Sequence, residues 1–210
     1  MTPPRHDAEV LLVGDELLRG DRGDRHLEFL GRALRRAGIR IARAQVVGDR
    51  VPAIAAMVRE RIEQARVLIV TGGLGPTEDD ITRDGVADAL QLPLEFDEPT
   101  WGRIVEFFAA RGRTPSDANR QQARFPRGAE ILGNGRGTAP GFHVQHEDAH
   151  VFVLPGPPEE LQAMVNELVM PRVLEIFGRE PLRVDTFRTI GVGESQLVEM
   201  LGDAATGLHA

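Results

Sequence analysis

Cysteine, tyrosine and lysine are absent from this sequence. The chain has 210 residues, and its Lys+Arg total of 25 consists of arginine alone. The missing cysteines exclude disulfide bonds, cysteine-ligated zinc or iron–sulfur centres and a cysteine nucleophile. The missing lysines exclude a Schiff-base lysine and the lysine that a Walker P-loop requires. We therefore expect backbone, arginine or a metal ion to hold any phosphate group that binds here.

Basic stripes and long apolar runs are also missing. The net charge is −7, and acidic residues and arginines are interspersed along the chain instead of forming blocks, so we expect no nucleic-acid partner. The apolar runs at 67–70 and 151–154 are far shorter than the ~20 residues that span a bilayer. The first ten residues contain no signal-peptide core. These patterns predict a cytoplasmic protein with no membrane partner.

Strand-like and helical segments alternate through the first ninety residues. Apolar runs at 9–13, 39–47 and 66–71 read as strands, and helical periodicity marks 24–37, 51–64 and 81–90. Asp24 can cap the first helix, and Gly38 can close it. This alternation predicts an α/β fold with a mostly parallel sheet covered by helices on both faces.

The second half of the chain is less regular. We predict a helix over 98–111 with Ile104, Val105 and Phe108 facing inward, and a short polar helix over 116–123. After a glycine-rich loop, further segments are predicted in chain order: a hairpin of 142–144 with 150–154, a helix from 158 to about 177, a strand over 184–190 and the start of a helix. Residues 1–178 are read as one domain, and 179–210 as the incomplete start of a second, linking module.

The segment TGGLGPTEDD at 71–80 carries the strongest functional signal. Gly72, Gly73 and Gly75 follow a buried strand, where successive backbone amides can form an anion nest. Asp79 and Asp80 stand at the start of the next helix, so two carboxylates lie beside this nest. Because carboxylates repel phosphate, the combination predicts Mg²⁺ or a similar divalent cation between them. A tight turn followed by aspartates that complement the helix dipole remains an open alternative.

Two other strand ends have related sequences. Gly156, in LPGPP, lies between an apolar run and a helix start, and either a ligand floor or a plain tight turn explains it. Asp49, in VVGD, ends a strand, and a helix N-cap is its alternative interpretation. Three strand ends that present Gly or Asp to one edge of a sheet favour a ligand site there.

Other residues carry weaker signals. His143, His146 and His150 have metal-like spacing, but strand alternation would point them in different directions, so a solvated hairpin is favoured. Core or interface packing is favoured over a base-stacking platform for three aromatic side chains, which are Trp101, Phe107 and Phe108. Arg124 and Arg136 lie in or near the glycine-rich region and can pair with phosphate, although chance placement explains them equally well.

Six ordered motifs carry a family resemblance. They are GDELLRG (14–20), VVGD (46–49), TGGLGPTEDD with Thr82, NRQQA (119–123), GTAPGF (137–142) and LPGPPEEL (154–161). With them the chain resembles the amino-terminal domain of the competence/damage-inducible CinA family, within the MoaB/Mog molybdopterin-binding superfamily. The resemblance covers about 9–177, and 187–197 is similar to the start of the family's linking module.

The resemblance implies a fold, a site and a chemistry. The fold is a three-layer α/β/α sandwich of the MoaB/Mog type with its pocket at the carboxyl edge of the sheet, in a homo-oligomer. Asp49 and Asp80 would bind the metal and act in catalysis, with Asp79 in support. The phosphate-binding set would be Gly14, Gly72, Gly73, Gly75, Thr77, Asn119, Gly137, Thr138, Gly141 and Gly156.

A small nucleotide or pterin phosphate is the implied ligand. The leading function is metal-dependent hydrolysis of a pyrophosphate such as ADP-ribose. Molybdopterin binding or adenylyl transfer is the first alternative, and a non-catalytic nucleotide-binding or oligomerisation module is the second. The family's deamidase lies in a separate domain, so no deamidase activity is assigned to these residues.

Two positions depart from the family pattern. Asp24 and His26 stand where the family usually has asparagines near the ligand edge. An asparagine amide can donate a hydrogen bond to phosphate, whereas a carboxylate cannot. We therefore expect an extra negative charge near the ligand, which bears on the identity of the substrate more than on the fold.

Overall fold

A computed structural model describes residues 6–182, 184 and 188–202. The strands are β1 (His6–Val13), β2 (Ile41–Val47), β3 (Ala65–Thr71), β4 (Leu94–Phe96), β5 (Arg124–Pro126), β6 (Glu130–Leu132), β7 (Gly141–His146) and β8 (Ala149–Leu154). The helices are α1 (Asp15–Leu18), α2 (His26–Arg36), α3 (Val51–Gln64), α4 (Thr82–Leu90), α5 (Glu98–Ala109), α6 (Pro158–Met164), α7 (Met170–Phe177) and α8 (Glu194–Leu201).

Six of these strands form one sheet in the order β2-β1-β3-β8-β7-β6. The neighbours β2, β1, β3 and β8 are parallel, whereas β7 pairs with β8 and β6 with β7 in antiparallel fashion. The mostly parallel sheet and the β7–β8 hairpin are both confirmed. The parallel strands all end at one edge, where their following loops meet.

Side chains on both faces of the sheet are buried. On one face, Leu68 and Val70 of β3 pack in a cluster with residues of α3 and α4, including Ile54. On the other face, Val67 and Ile69 pack with residues of α2, α6 and α7. The alternation of successive side chains along a strand places each face against its own helices. The predicted cover of helices on both faces is thus confirmed, and the layers are three.

Several details differ from the sequence prediction. Val105 was predicted to face inward, but it is 38% exposed, while Ile104 beside it is buried. Position 105 points away from the core because α5 turns by about 100° per residue. The polar helix is a 3-10 helix over Asp117–Ala123, and a π-helical turn at Val165–Val169 joins α6 to α7 within the predicted long helix.

The tail has a helix but no buried side chain in it. The helix predicted near the end is α8, and its residues are intermediate or exposed. Residues 185–187 of the run predicted as a strand over 184–190 lie outside the described residues. The division at 178 stays a prediction. No helix in the described part of the chain has the length and apolar character needed to cross a membrane.

Candidate ligand site at the carboxyl edge of the sheet

A cavity of about 890 Å³ opens at the edge where the parallel strands end. Its volume falls in the range typical of small-molecule sites. Ten of the sequence-predicted site residues line it: Gly14, Asp49, Gly72, Gly73, Gly75, Thr77, Asp79, Asp80, Thr138 and Gly156. The structure therefore brings the three strand-end motifs together around one space.

Three predicted phosphate-binding residues are not in the lining of this cavity. Gly141 is buried in β7, where an added Cβ would lie 2.5 Å from the Val153 carbonyl oxygen. Gly137 donates its N–H to Asn134 Oδ1 at 3.0 Å. Asn119 is buried within the 3-10 helix. Asn119 contacts the cavity lining through Gln122, and Gly137 lies close to Glu160 of the lining.

Gly72 and Gly73, which follow β3, have backbone conformations that other residues rarely adopt. Gly72 has φ of 99°, and a Cβ on it would lie 2.3 Å from the Val13 carbonyl oxygen. Gly73 has φ of 64°, and its Cβ would lie 2.2 Å from Thr82 Oγ1. Both the positive φ and the close neighbours require glycine here. The loop can therefore press against β1 and α4 and expose its backbone to the cavity.

The predicted anion nest is smaller than the motif suggests. Gly14 and Gly72 donate their N–H groups to carbonyl oxygens of neighbouring strands, at 3.0 Å each. Within the described part of the chain, no acceptor takes the N–H of Gly73, Gly75 or Gly156. Among the predicted glycines that line the cavity, these three are the ones whose amides are left to bind an anion.

Asp80 is held against the glycine loop by Thr77. Its Oδ2 accepts the Thr77 backbone N–H at 2.8 Å and the Thr77 hydroxyl at 2.5 Å. A Cβ on Gly75 would lie 2.5 Å from the same oxygen, so glycine at 75 makes room for this carboxylate. Thr77 thus positions Asp80 and leaves its Oδ1 for a ligand or metal ion.

Asp49 lies in a locally acidic part of the cavity. Its Oδ2 accepts the backbone N–H of Asp15 at 2.8 Å. Burial raises the pKa of Asp49, and the charges of Asp15, Glu16 and Asp79 raise it further, against the lowering effect of the Asp15 N–H. The deprotonated site therefore carries an excess of negative charge, which a cation would offset.

The fit of a divalent metal ion depends on how many ligands the protein supplies. Within the described residues, no three His, Asp or Glu side chains converge as a preformed metal site. Mg²⁺, however, is commonly held by one or two carboxylates, with water and substrate phosphate completing its shell. Asp49 and Asp80 both line the cavity, and Asp49 is surrounded by like charges. These residues suit an ion that binds together with a phosphorylated ligand.

A chain of polar contacts links the 3-10 helix to the cavity wall. Asn119 Oδ1 accepts hydrogen bonds from Ser116, and its Nδ2 donates to Gln122 Oε1 at 3.0 Å. Gln122 Nε2 then donates to Thr138 Oγ1 at 3.2 Å. Because the Thr138 oxygen accepts this bond, its hydroxyl proton is left to donate into the cavity.

Sequence reasoning missed two supports of the site. Gln121 Nε2 donates to the carbonyls of Gly75 and Thr77, at 3.1 and 2.8 Å, and so ties the glycine loop to the 3-10 helix. Arg83 is buried beneath the loop and donates to the Leu74 carbonyl at 3.0 Å. Burial lowers the pKa of Arg83 to about 10. The QQ pair inside the NRQQA motif was the available signal for Gln121.

Asp24 lines the cavity and also binds the first backbone N–H groups of α2. Its Oδ1 accepts the N–H of His26 at 2.8 Å, and Oδ2 accepts that of Leu27 at 3.2 Å. The carboxylate thus accepts the first two N–H groups of α2 from the position before the N-cap residue Arg25, and so supplies the capping that the sequence predicted for Asp24. Its negative charge faces the positive end of a helix, although the residue also lies in the cavity wall.

The histidine hairpin lies away from this cavity. His143 Nε2 and His150 Nδ1 are 3.0 Å apart with stacked rings, so the prediction that alternation points these two apart is wrong. They occupy diagonal positions on neighbouring strands and share one face. Burial lowers the pKa of both side chains. Arg124 and Arg136 are exposed and are not in the cavity wall.

The chain is similar in sequence and in fold to known proteins. The sequence model of one family, described as a probable molybdopterin binding domain, matches residues 9–175. A CinA-like protein of Thermomicrobium roseum is 40% identical over 197 residues, covering 94% of this chain and 48% of that protein. The chain thus spans about half the length of the curated relatives it matches.

Two solved structures share the fold. The CinA protein of unknown function from Thermoplasma acidophilum is 29% identical with a TM-score of 0.74, covering 82% of this chain and 98% of that one. The molybdopterin biosynthesis enzyme MoaB from Thermus thermophilus is 19% identical with a TM-score of 0.53, covering 85% and 99%. At that identity, the second match carries the fold alone.

Proposed function

The chain belongs to the family of probable molybdopterin binding domains, in its CinA-like branch, and from this premise we propose that it binds a nucleotide diphosphate with a divalent metal ion. The reaction is hydrolysis of a pyrophosphate bond, with ADP-ribose as the model substrate. Asp49 and Asp80 are the residues that hold the metal ion.

One arrangement in the cavity carries this proposal. Free backbone amides of Gly73, Gly75 and Gly156 share the cavity with the carboxylates of Asp49 and Asp80. Amides attract a phosphate and carboxylates repel it, so the pair of features suits a ligand that binds with a cation. A diphosphate with Mg²⁺ satisfies both groups at once.

The backbone amides and side chains of the cavity have separate roles in this proposal. The free amides and the Thr138 hydroxyl donate to phosphate oxygens, where negative charge develops during cleavage. Thr77 keeps Asp80 in place, and Asp79 adds negative charge near Asp49. A divalent cation, when bound, neutralises phosphate charge and lowers the pKa of water.

A second candidate function is molybdopterin binding or adenylyl transfer. The description of the matching family favours it, and MoaB, a molybdopterin biosynthesis enzyme, has a related fold. A pterin phosphate would use the same amides and metal ligands. The two candidates therefore differ in ligand and product rather than in the position of the site.

The deciding experiment follows AMP formation from ADP-ribose. The purified chain is incubated with ADP-ribose and Mg²⁺, Mn²⁺, Co²⁺ or Ni²⁺, alongside Asp80→Asn and Glu78→Gln. We expect AMP only with metal, and a loss of about a hundredfold or more in Asp80→Asn, since even indirect supports of a metal site are worth 10–100-fold. Glu78→Gln removes the same charge from an exposed neighbour that is not in the cavity wall and keeps the rate.

Other results select the alternatives. Absence of AMP with every metal, together with saturable molybdopterin binding, favours the second candidate. Absence of both signals favours a non-catalytic nucleotide-binding or oligomerisation module. Full activity in Asp80→Asn would remove Asp80 from the mechanism even if AMP is formed.

A further inference from the structure

His26 is anchored at the rim of the cavity by a buried threonine. Its Nδ1 lies 3.1 Å from Oγ1 of Thr71, the last residue of β3, which is 1% exposed. Both residues line the cavity beside Gly72 and Gly73. The imidazole is therefore tied to the strand that delivers the glycine loop.

The backbone of His26 is fixed as firmly as its ring. It is the first residue of α2, and its N–H donates to the Asp24 carboxylate at 2.8 Å. A half-buried side chain held at both backbone and ring has few rotamers left, so it loses little entropy when a ligand binds. Asp24 fixes the backbone of His26 and Thr71 fixes its imidazole ring, so the side chain is held in one orientation.

The direction of the His26–Thr71 hydrogen bond depends on the ring tautomer, because Nδ1 either accepts from the Thr71 hydroxyl or donates to it. A threonine hydroxyl that donates to Nδ1 leaves the proton of a neutral imidazole on Nε2. Within the described residues, no protein group pairs with His26 Nε2. An N–H donor at that position suits an anionic oxygen.

The charges around the cavity make such a donor valuable. Seven carboxylates line it against three arginines, Arg19, Arg22 and Arg25, and Arg19 is paired with Asp15 and Asp21. An additional hydrogen-bond donor at the rim would favour an anionic ligand against the surrounding carboxylates. The free amides of Gly73 and Gly75 lie in the same cavity.

We propose that His26 Nε2 donates a hydrogen bond to a phosphate oxygen of the ligand, with Thr71 as the positioning residue that holds the imidazole in this tautomer. The inference rests on the proposed function for the identity of the ligand as a diphosphate. The ring selects ligands that present an anionic oxygen at the rim of the cavity. Binding and hydrolysis are separate consequences, and each can be measured alone.

The test uses the full chain with ¹⁵N-labelled histidine and two probes, inorganic pyrophosphate and ADP-ribose, each titrated with and without Mg²⁺. We expect the Nε2–H tautomer for His26, a ligand-induced shift of its Nε2 signal, and about tenfold weaker binding of both probes in His26→Ala. Thr71→Val is expected to change the tautomer population, whereas Thr71→Ser retains it. His146→Gln is the control, because His146 is not in the lining of the cavity.

The outcomes separate this inference from the proposed function. If the Nε2 signal shifts with pyrophosphate but no metal yields AMP from ADP-ribose, the hydrolase proposal fails and the His26 contact stands. The His26 contact is overturned if AMP is formed, the wild-type Nε2 signal does not shift on ligand binding, and His26→Ala has the wild-type KM. A Thr71→Val variant with the wild-type tautomer and affinity would overturn the positioning role of Thr71.

Discussion

Asp15 and Asp49 exchange hydrogen bonds with each other's backbone. Asp49 Oδ2 accepts the N–H of Asp15 at 2.8 Å, and Asp15 Oδ1 accepts the N–H of Asp49 at 3.2 Å. Gly48 permits this approach, since a Cβ there would lie 2.3 Å from Asp15 Oδ1. The segments after β1 and β2 are thereby joined, and two carboxylates are brought close to each other.

Asp49→Asn is expected to stabilise the metal-free protein. The substitution removes one of several mutually repelling charges and keeps an oxygen that accepts the Asp15 N–H. We expect its Tm without metal to rise by about 2–4 °C, which corresponds to ~1 kcal/mol in a domain of this size. Adding Mg²⁺ and pyrophosphate at saturating concentrations should raise the Tm of the wild type but leave the Tm of the variant unchanged. Thermal unfolding with and without metal measures both effects.

Asp21→Asn is the matched control for this pair of measurements. Asp21 lies just after α1, but its carboxylate pairs with Arg19 and is not in the cavity wall. The control should retain the metal response. An equal metal response in Asp49→Asn would remove Asp49 from the metal site, and a lower Tm without metal would contradict the account of charge repulsion.

Gly72→Ala is expected to damage the fold and the site together. Its added methyl group would meet the Val13 carbonyl oxygen at 2.3 Å in a backbone conformation with φ of 99°. We expect a loss of about 2–4 kcal/mol in the free energy of unfolding, from strain and backbone displacement combined. Urea denaturation measures this loss.

Gly102→Ala makes the same chemical change where space is open. Gly102 lies in α5 with no atom within 4 Å of an added Cβ. Because alanine favours a helix over glycine, the control should gain about 0.5–1 kcal/mol. Similar effects for the two alanine variants would show that the loop does not require glycine at 72.

Gln122→Met tests the polar chain behind Thr138. The change is nearly isosteric, but it leaves the buried Asn119 amide without its acceptor and frees Thr138 to rotate. We expect a cost of about 1–3 kcal/mol in stability and roughly tenfold weaker pyrophosphate binding. Calorimetry and urea denaturation measure the two losses. Gln162→Met on the exposed side of α6 is the control, and binding losses equal in both variants would exclude this role for Gln122.

The stability of the protein is expected to fall below neutral pH through His143 and His150. Burial lowers the pKa of both from 6.5, so the unfolded chain binds more protons than the folded chain as the pH drops below that value. The free energy of unfolding therefore decreases as the pH falls from about 6.5 towards the folded-state pKa values. Urea denaturation at pH 7.5 and 5.5 should show a smaller decrease in His143→Gln/His150→Gln. A decrease as large as that of the wild type would assign the effect to other groups.

The order of the elements was predictable because it depends on local periodicity. The bounds 51–64 predicted for α3 agree with the structure, and the three strand-end motifs meet as the topology of a parallel sheet requires. Asp24 was also identified as a helix cap from its position before α2. Such features need only neighbouring residues and the handedness of the fold.

Other parts of the site depend on contacts between distant residues. The stacking of His143 and His150 follows from strand register, which the sequence alone leaves open. Gly72 was predicted to offer its amide to phosphate, yet its N–H is donated to the Leu154 carbonyl at 3.0 Å. The partner of Gly72 becomes clear only once β3 and β8 are placed side by side. Gly72 is therefore required for its backbone conformation, although its N–H donates no hydrogen bond to a ligand.

The bond between Gly72 and Leu154 also bears on when the cavity can form during synthesis. β8 joins the sheet beside β3, although the helices α4 and α5 and several shorter elements lie between them in the chain. A ribosome adds about 5–20 residues per second, so the first three strands emerge seconds before their fourth parallel partner. Until then one flank of β3 has no partner and the glycine loop has no support from Leu154. The nascent chain therefore has an interval in which this apolar edge is exposed to misassociation or chaperone binding.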